Sequence, residues 1–173
     1  AARPEVRAVG ENGLDYYWGR VPADAQQDAF RRHIALAKQH DKALVIHDRD
    51  AHADVLRVLA EEGAPEHTVF HCFSGDVEMA RYCVRAGYVL SFAGTVTFKN
   101  APALREAAAV VPLHQLLVET DAPFLTPMPY RGRPNAPYLV PFTVRALATV
   151  LSVHIEQLCE EVTRTAQRVF GSW

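Results

Sequence analysis

Five apolar runs, each followed by a segment with helical periodicity, set the tightest limit on how this chain can fold. The runs EVRAVG (5–10), KALVIH (42–47), HTVFH (67–71), YVLSFAG (88–94) and HQLLVETD (114–121) read as strands. Between them, residues 23–40 put Phe30, Ile34 and Ala37 on one helical face. Residues 51–62 do the same with Val55, Leu56 and Leu59, and residues 76–86 with Met79, Ala80, Cys83 and Val84. Gly63 and Gly87 stand where those two helices should stop. A helix is expected over 101–110, and a proline-rich loop follows the fifth strand. Two more helices, 141–152 and 155–169, close the chain. Successive strand starts mostly fall roughly 20–35 residues apart, the length of a strand–helix unit. Alternation of this kind demands parallel strands joined by right-handed crossovers. It leaves two common outcomes, a (β/α)8 barrel and an open doubly wound sheet. No GxGxxG follows the first strand, so a dinucleotide site has no support.

The 173 residues are 49% apolar, enough for the core of one domain, 1–173, or for part of a larger one. No apolar run approaches the roughly 18–20 residues of a membrane span. No signal peptide is visible. Cys72, Cys83 and Cys159 are odd in number and widely spaced, which fits a reducing compartment such as the cytoplasm. A net charge of −2 excludes a polybasic nucleic-acid binder, so any contact with DNA must be local.

The chemistry gathers where the strands stop. The first ends at Gly10-Glu11, the second at His47, the third at His71 and the fifth at Glu119-Thr120-Asp121. One histidine at a strand end is ordinarily a packed residue, and Asp121 before Ala122-Pro123 suits a turn. Four ligand-type residues at one end of a parallel sheet are harder to dismiss. In a (β/α)8 barrel those ends share the face that holds the active site. Imidazole and carboxylate suit Zn²⁺, Mn²⁺ or Mg²⁺. Two such ions a few ångströms apart can clamp the attacking and leaving oxygens of a phosphodiester, with a nearby Asp as base. His33, His40, His52, His67, His114 and His154 fall in helices or at strand starts and are read as structural. Arg49, two residues past His47, and Arg131, Arg133 and Asn135 in YRGRPN (130–135) are candidate phosphate contacts, as are Lys99 and Asn100. Tyr16, Tyr17 and Trp18 offer surfaces on which unpaired bases could stack.

The stretches GENGLDYYW, VIHDRDAH, FHCFSGD, LSFAGTVTFKN, LLVETDAPFLTP and YRGRPNAP closely resemble the TatD family of metal-dependent deoxyribonucleases, a TIM-barrel branch of the amidohydrolase superfamily. The resemblance runs from about Val6 to Phe170 with the motifs in order. It implies that Glu11 bridges two divalent metal ions, that His47 and His71 complete one shell, and that Asp121 binds the other ion and serves as base. It also implies a phosphodiesterase acting on DNA, at single strands or 3′ ends. The alternatives are an amidohydrolase-like enzyme for an ester or amide, or a non-catalytic fragment. Family members carry an HxH motif on the first barrel strand, upstream of the Gly-Glu pair, and this chain has none. The resemblance therefore implies strands 4–8 of a barrel, with exposed edges near Val6 and Leu117. Two departures are local: Asn12 stands where the family has an apolar residue, and RTAQRVF (164–170) lacks an Asn often found there.

Overall fold

The structure, a computed structural model, describes residues 1–172. Two compact units divide the chain: residues 1–71 with 168–172, and residues 72–167.

The first unit contains β1 (Ala8–Asp15), α1 (Ala23–Gln39), β2 (Ala43–Arg49), α2 (His52–Glu62) and β3 (Thr68–Phe70). The three strands are parallel, with β2 between β1 and β3. Phe30, Ile34 and Ala37 are buried on α1, as the periodicity predicts. On α2 the inward set is Val55, Val58 and Leu59, while Leu56 lies half-buried at the edge of that face.

The first strand differs from its expected limits. It begins at Ala8 and runs five residues past Gly10. It continues because Asn12, Gly13, Leu14 and Asp15 pair with Ile46, His47, Asp48 and Arg49, and because Leu14 is wholly buried. Its register breaks once: Val9 pairs with Leu44 and Asn12 with Ile46, so Gly10 and Glu11 together stand opposite Val45. That is a bulge of one residue. A side chain at position 10 would meet the Val45 Cβ at 2.7 Å, so the bulge requires glycine there. Asn12 donates its side-chain amide to the Val9 carbonyl at 3.1 Å and closes the bulge from within. This gives the departure at position 12 a local job.

The second unit contains α3 (Val77–Arg85), β4 (Val89–Phe92), α4 (Pro102–Ala109), β5 (Leu116–Val118), α5 (Val140–Leu151) and most of α6 (Ile155–Phe170). Asp76 caps α3 by accepting the Met79 N–H at 2.9 Å. The four residues of β4 are all buried, and β4 pairs in parallel with β5. Parallel strands covered on both faces read as continuous apolar runs, which is why the pattern here does not alternate. Strand β5 is shorter than expected, so Glu119 and Asp121 lie just past its end. Gln115 is buried because its amide donates to the Val84 and Tyr88 carbonyls at 3.2 and 2.8 Å. No single helix among the described residues is long and apolar enough to cross a membrane.

Two predictions follow from this packing. Gly13 has φ +144°, and a Cβ there would sit 2.0 Å from the His47 carbonyl oxygen. Gly13→Ala should cost about 1–3 kcal/mol or more, read as a lower urea midpoint at unchanged slope. Burial pushes the Tyr88 phenol up from its ordinary 10.0 to about 12. The folded chain therefore holds that proton where the unfolded chain has released it. Stability is intact below pH 10 and falls as pH rises toward 12. Tyr88→Phe should flatten that alkaline loss in denaturant titrations.

Candidate metal centre

Glu11, His47 and His71 come together on one face of the three-stranded sheet. The bulge accounts for it. Beyond the bulge, Gly13 pairs with His47, so the odd-numbered residues of β1 share His47's face of the sheet. Without it, Glu11 would fall beside Ile46 and point to the opposite side. His71 follows β3, and its backbone N–H donates to the Ile46 carbonyl at 2.9 Å, carrying the β2–β3 ladder one residue further. Its ring lies 6.3 Å from that of His47, centroid to centroid, at 30°.

The Glu11 carboxylate reaches both rings. Oε1 lies 3.3 Å from His47 Nδ1, and Oε2 lies 3.1 Å from His71 Nε2. One potential ligand atom from each residue falls within 4.8 Å of the others. Glu11 is exposed, and the two histidines are half-buried. Two nitrogens and a carboxylate are the usual donor set of a catalytic zinc site with an open position, so the residues present fit a divalent ion. Gly13 contributes by absence: lying beside His47 in the ladder, it places no side chain between Glu11 and Asp15.

Asp15 completes this corner, and the strand-end reading missed it. Its Oδ2 lies 2.9 Å from His47 Nε2. The available signal was parity, since Asp15 is four residues past Glu11 on the same strand face. Arg49, at the end of β2, lays its guanidinium over the Tyr17 ring at 3.7 Å. Tyr17 packs edge-on against Trp18 at 4.9 Å, and both are more than half exposed. Tyr16 turns away from its neighbours and donates to Asp54 Oδ2 at 2.8 Å.

The remaining expected site residues belong to the second unit. Asp121 has φ +57°, and its carbonyl accepts the Phe124 N–H at 2.8 Å. Glu119 accepts the Cys72 N–H at 3.1 Å. Arg131 stacks over Phe98 at 4.1 Å, and Arg133 is exposed. Asn135 is buried and ties the loop together. Its amide donates to the Thr120 and Phe124 carbonyls, both at 2.7 Å, and its Oδ1 accepts the Ala136 N–H at 2.9 Å. Both amide hydrogens are thereby spent within the chain, which gives Asn135 a scaffolding role that its sequence position does not reveal.

Residues 1–171 match the family profile "TatD related DNase". The chain is 52% identical to the "Uncharacterized metal-dependent hydrolase TatD" of Mycobacterium tuberculosis (strain ATCC 25618 / H37Rv), over 98% of this chain and 66% of that protein. It is 43% identical to the "Uncharacterized metal-dependent hydrolase YabD" of Bacillus subtilis (strain 168), over 98% and 67%. It thus spans about two thirds of the length of the curated relatives it matches. Among solved structures, the TatD homologue YjjV of Escherichia coli k12 superimposes with a TM-score of 0.91 at 29% identity, over 97% of this chain and 65% of that one. A TatD family hydrolase from Entamoeba histolytica gives 0.83 at 19% identity, over 96% and 64%, a likeness of fold alone.

Removing any one of the three ligand candidates should break metal binding. Glu11→Gln, His47→Ala and His71→Ala should each lower Zn²⁺ or Mn²⁺ affinity by more than the roughly 10–100-fold that a lost outer partner costs. Titration calorimetry checks this, with His154→Ala, an exposed histidine of the other unit, expected to bind like the parent chain.

Proposed function

The chain belongs to the TatD related DNase family, and on that premise we propose that it carries part of a metal-dependent hydrolase that cleaves phosphodiester bonds of DNA. The observation behind this reading is the clustering of Glu11, His47 and His71 within ligand distance of one another. These three residues would hold a divalent ion. Such an ion supplies Lewis-acid polarisation of the phosphodiester. The finer reading adds a second ion, with Glu11 as the bridge.

The other roles fall to side chains. Asp121 accepts a proton from the attacking water on its carboxylate oxygen, the role that the family resemblance gives it. Arg49, Arg131 and Arg133 are suited to phosphate oxygens, since each carries a planar guanidinium on a loop or strand end. With a net charge of −2, binding depends on these local cations rather than on the whole surface. The proposed substrate is DNA presented as a single strand or a 3′ end, where a phosphodiester is accessible without opening a duplex.

The test is shortening of a 5′-labelled single-stranded oligonucleotide with Mn²⁺ or Mg²⁺, run beside small carboxylic esters and amides. Trimming that disappears with EDTA is the expected result, and turnover of esters or amides alone would overturn the nuclease reading. Asp121→Asn should reduce trimming by at least about 100-fold while circular dichroism and metal affinity for the Glu11 trio stay unchanged, because the amide keeps the volume but cannot act as base.

A further inference from the structure

We propose that Asp15 is a positioning residue that fixes which nitrogen of His47 is left to bind a metal ion. The inference rests on reading Glu11, His47 and His71 as the ion's ligands.

His47 is addressed from both sides. Asp15 Oδ2 stands 2.9 Å from Nε2, and Glu11 Oε1 stands 3.3 Å from Nδ1. A neutral imidazole carries one proton, and only one of these nitrogens can keep its lone pair. A carboxylate only accepts, so the shorter contact draws the proton onto Nε2. The lone pair is then on Nδ1, facing Glu11 and the side where His71 lies. A hydrogen-bonded carboxylate behind the ring also makes that nitrogen a stronger donor to a metal.

Asp15 is built to hold this position. Its Oδ1 accepts the backbone N–H groups of Tyr17 and Trp18, at 3.0 and 3.4 Å. Its backbone N–H donates to Gln26 Oε1 at 2.8 Å, and Gln26 returns an amide hydrogen to the Asp15 carbonyl at 3.0 Å. Gln26 also donates to the Val21 carbonyl at 2.9 Å. Both carboxylate oxygens are therefore assigned, one to the turn and one to the ring. Rotating the side chain would break contacts at each end.

This arrangement makes the isosteric amide informative. Asparagine has one acceptor oxygen, and the Tyr17 and Trp18 N–H groups claim it. Its NH2 must then face His47 and donate to Nε2. The imidazole responds by carrying its proton on Nδ1, where the lone pair for the metal had been. Asp15→Asn thus keeps volume and turn but reverses the tautomer. Asp15→Ala removes both contacts and leaves either tautomer open.

The experiment uses the whole chain, labelled with 15N at histidine, metal-free and at mildly alkaline pH. Long-range 1H–15N spectra report which His47 nitrogen is protonated, with the signals assigned by their loss in His47→Gln. Zinc titration calorimetry and circular dichroism run alongside. The expected result is Nε2–H in the parent and Nδ1–H in Asp15→Asn. The Asn variant should bind zinc about 10–100-fold more weakly at unchanged helicity, and more weakly than Asp15→Ala. A residue that merely supports the fold would make alanine the worse substitution and leave the tautomer alone. His47 remaining Nε2–H in Asp15→Asn, or zinc affinity within about twofold of the parent, would overturn the proposal. If His71→Ala binds zinc as the parent does, the ligand reading fails instead, and the metal-free spectra still decide whether Asp15 sets the tautomer.

Discussion

One extra residue on β1 decides which side chains share a face with His47. Pairing runs Val9 to Leu44, then Asn12 to Ile46, and the surplus is absorbed opposite Val45. Side chains alternate along a strand, so this single insertion exchanges the two faces of everything that follows. Before it, Val9 shares the buried face with Leu44. After it, Asn12 and Leu14 take over that face beside Ile46, and Glu11 and Asp15 come round to His47. The core keeps its apolar residues, and the carboxylates acquire their imidazole. Gly10 makes the insertion possible because Val45 leaves no room for a side chain there. Gly13 keeps the space beside His47 open.

The bulge sets the face, and α1 sets the precision. Burial of Phe30, Ile34 and Ala37 fixes that helix in the first unit. Its first turns carry Gln26, whose amide clasps both backbone groups of Asp15. Apolar packing a few residues away is thus converted into a fixed carboxylate, and the carboxylate into a fixed imidazole. Neighbouring polar contacts, the pairs of Arg57 with Asp54 and Glu61 within α2 and its hydrogen bond to Gln27 on α1, are solvent-facing and add little to this rigidity.

Element types and order were legible in the sequence because hydrophobic periodicity records burial, and burial is what selects strand or helix. The gathering of Glu11, His47 and His71 was legible because their residue types recur at strand ends, and parallel strands bring such ends to one side. Register was not legible. A bulge changes no composition and barely disturbs periodicity, so β1 looked finished at Gly10 when it continued to Asp15. Partner-dependent roles were equally hidden. Asn135 has the residue type of a phosphate contact, yet its amide is spent on three backbone groups reached only through the fold of the loop. One oxygen of Asp15 accepts from the turn after β1, while its second oxygen contacts a histidine 32 positions away.

The Glu11–His47–His71 trio is supplied wholly by the first unit, from three parallel strands whose ladder bonds run through these residues' own backbone or that of their immediate neighbours. In the proposed reading, metal affinity would be a property of that ladder and of the Asp15 clamp behind it. In the proposed function the base, Asp121, and two of the cations, Arg131 and Arg133, lie on the loop after β5, in the second unit, where Asn135 and the Asp121 turn govern the backbone. The two requirements rest on separate sets of hydrogen bonds. Substitutions in the clamp should show first in binding of the ion, and substitutions in the loop first in the rate.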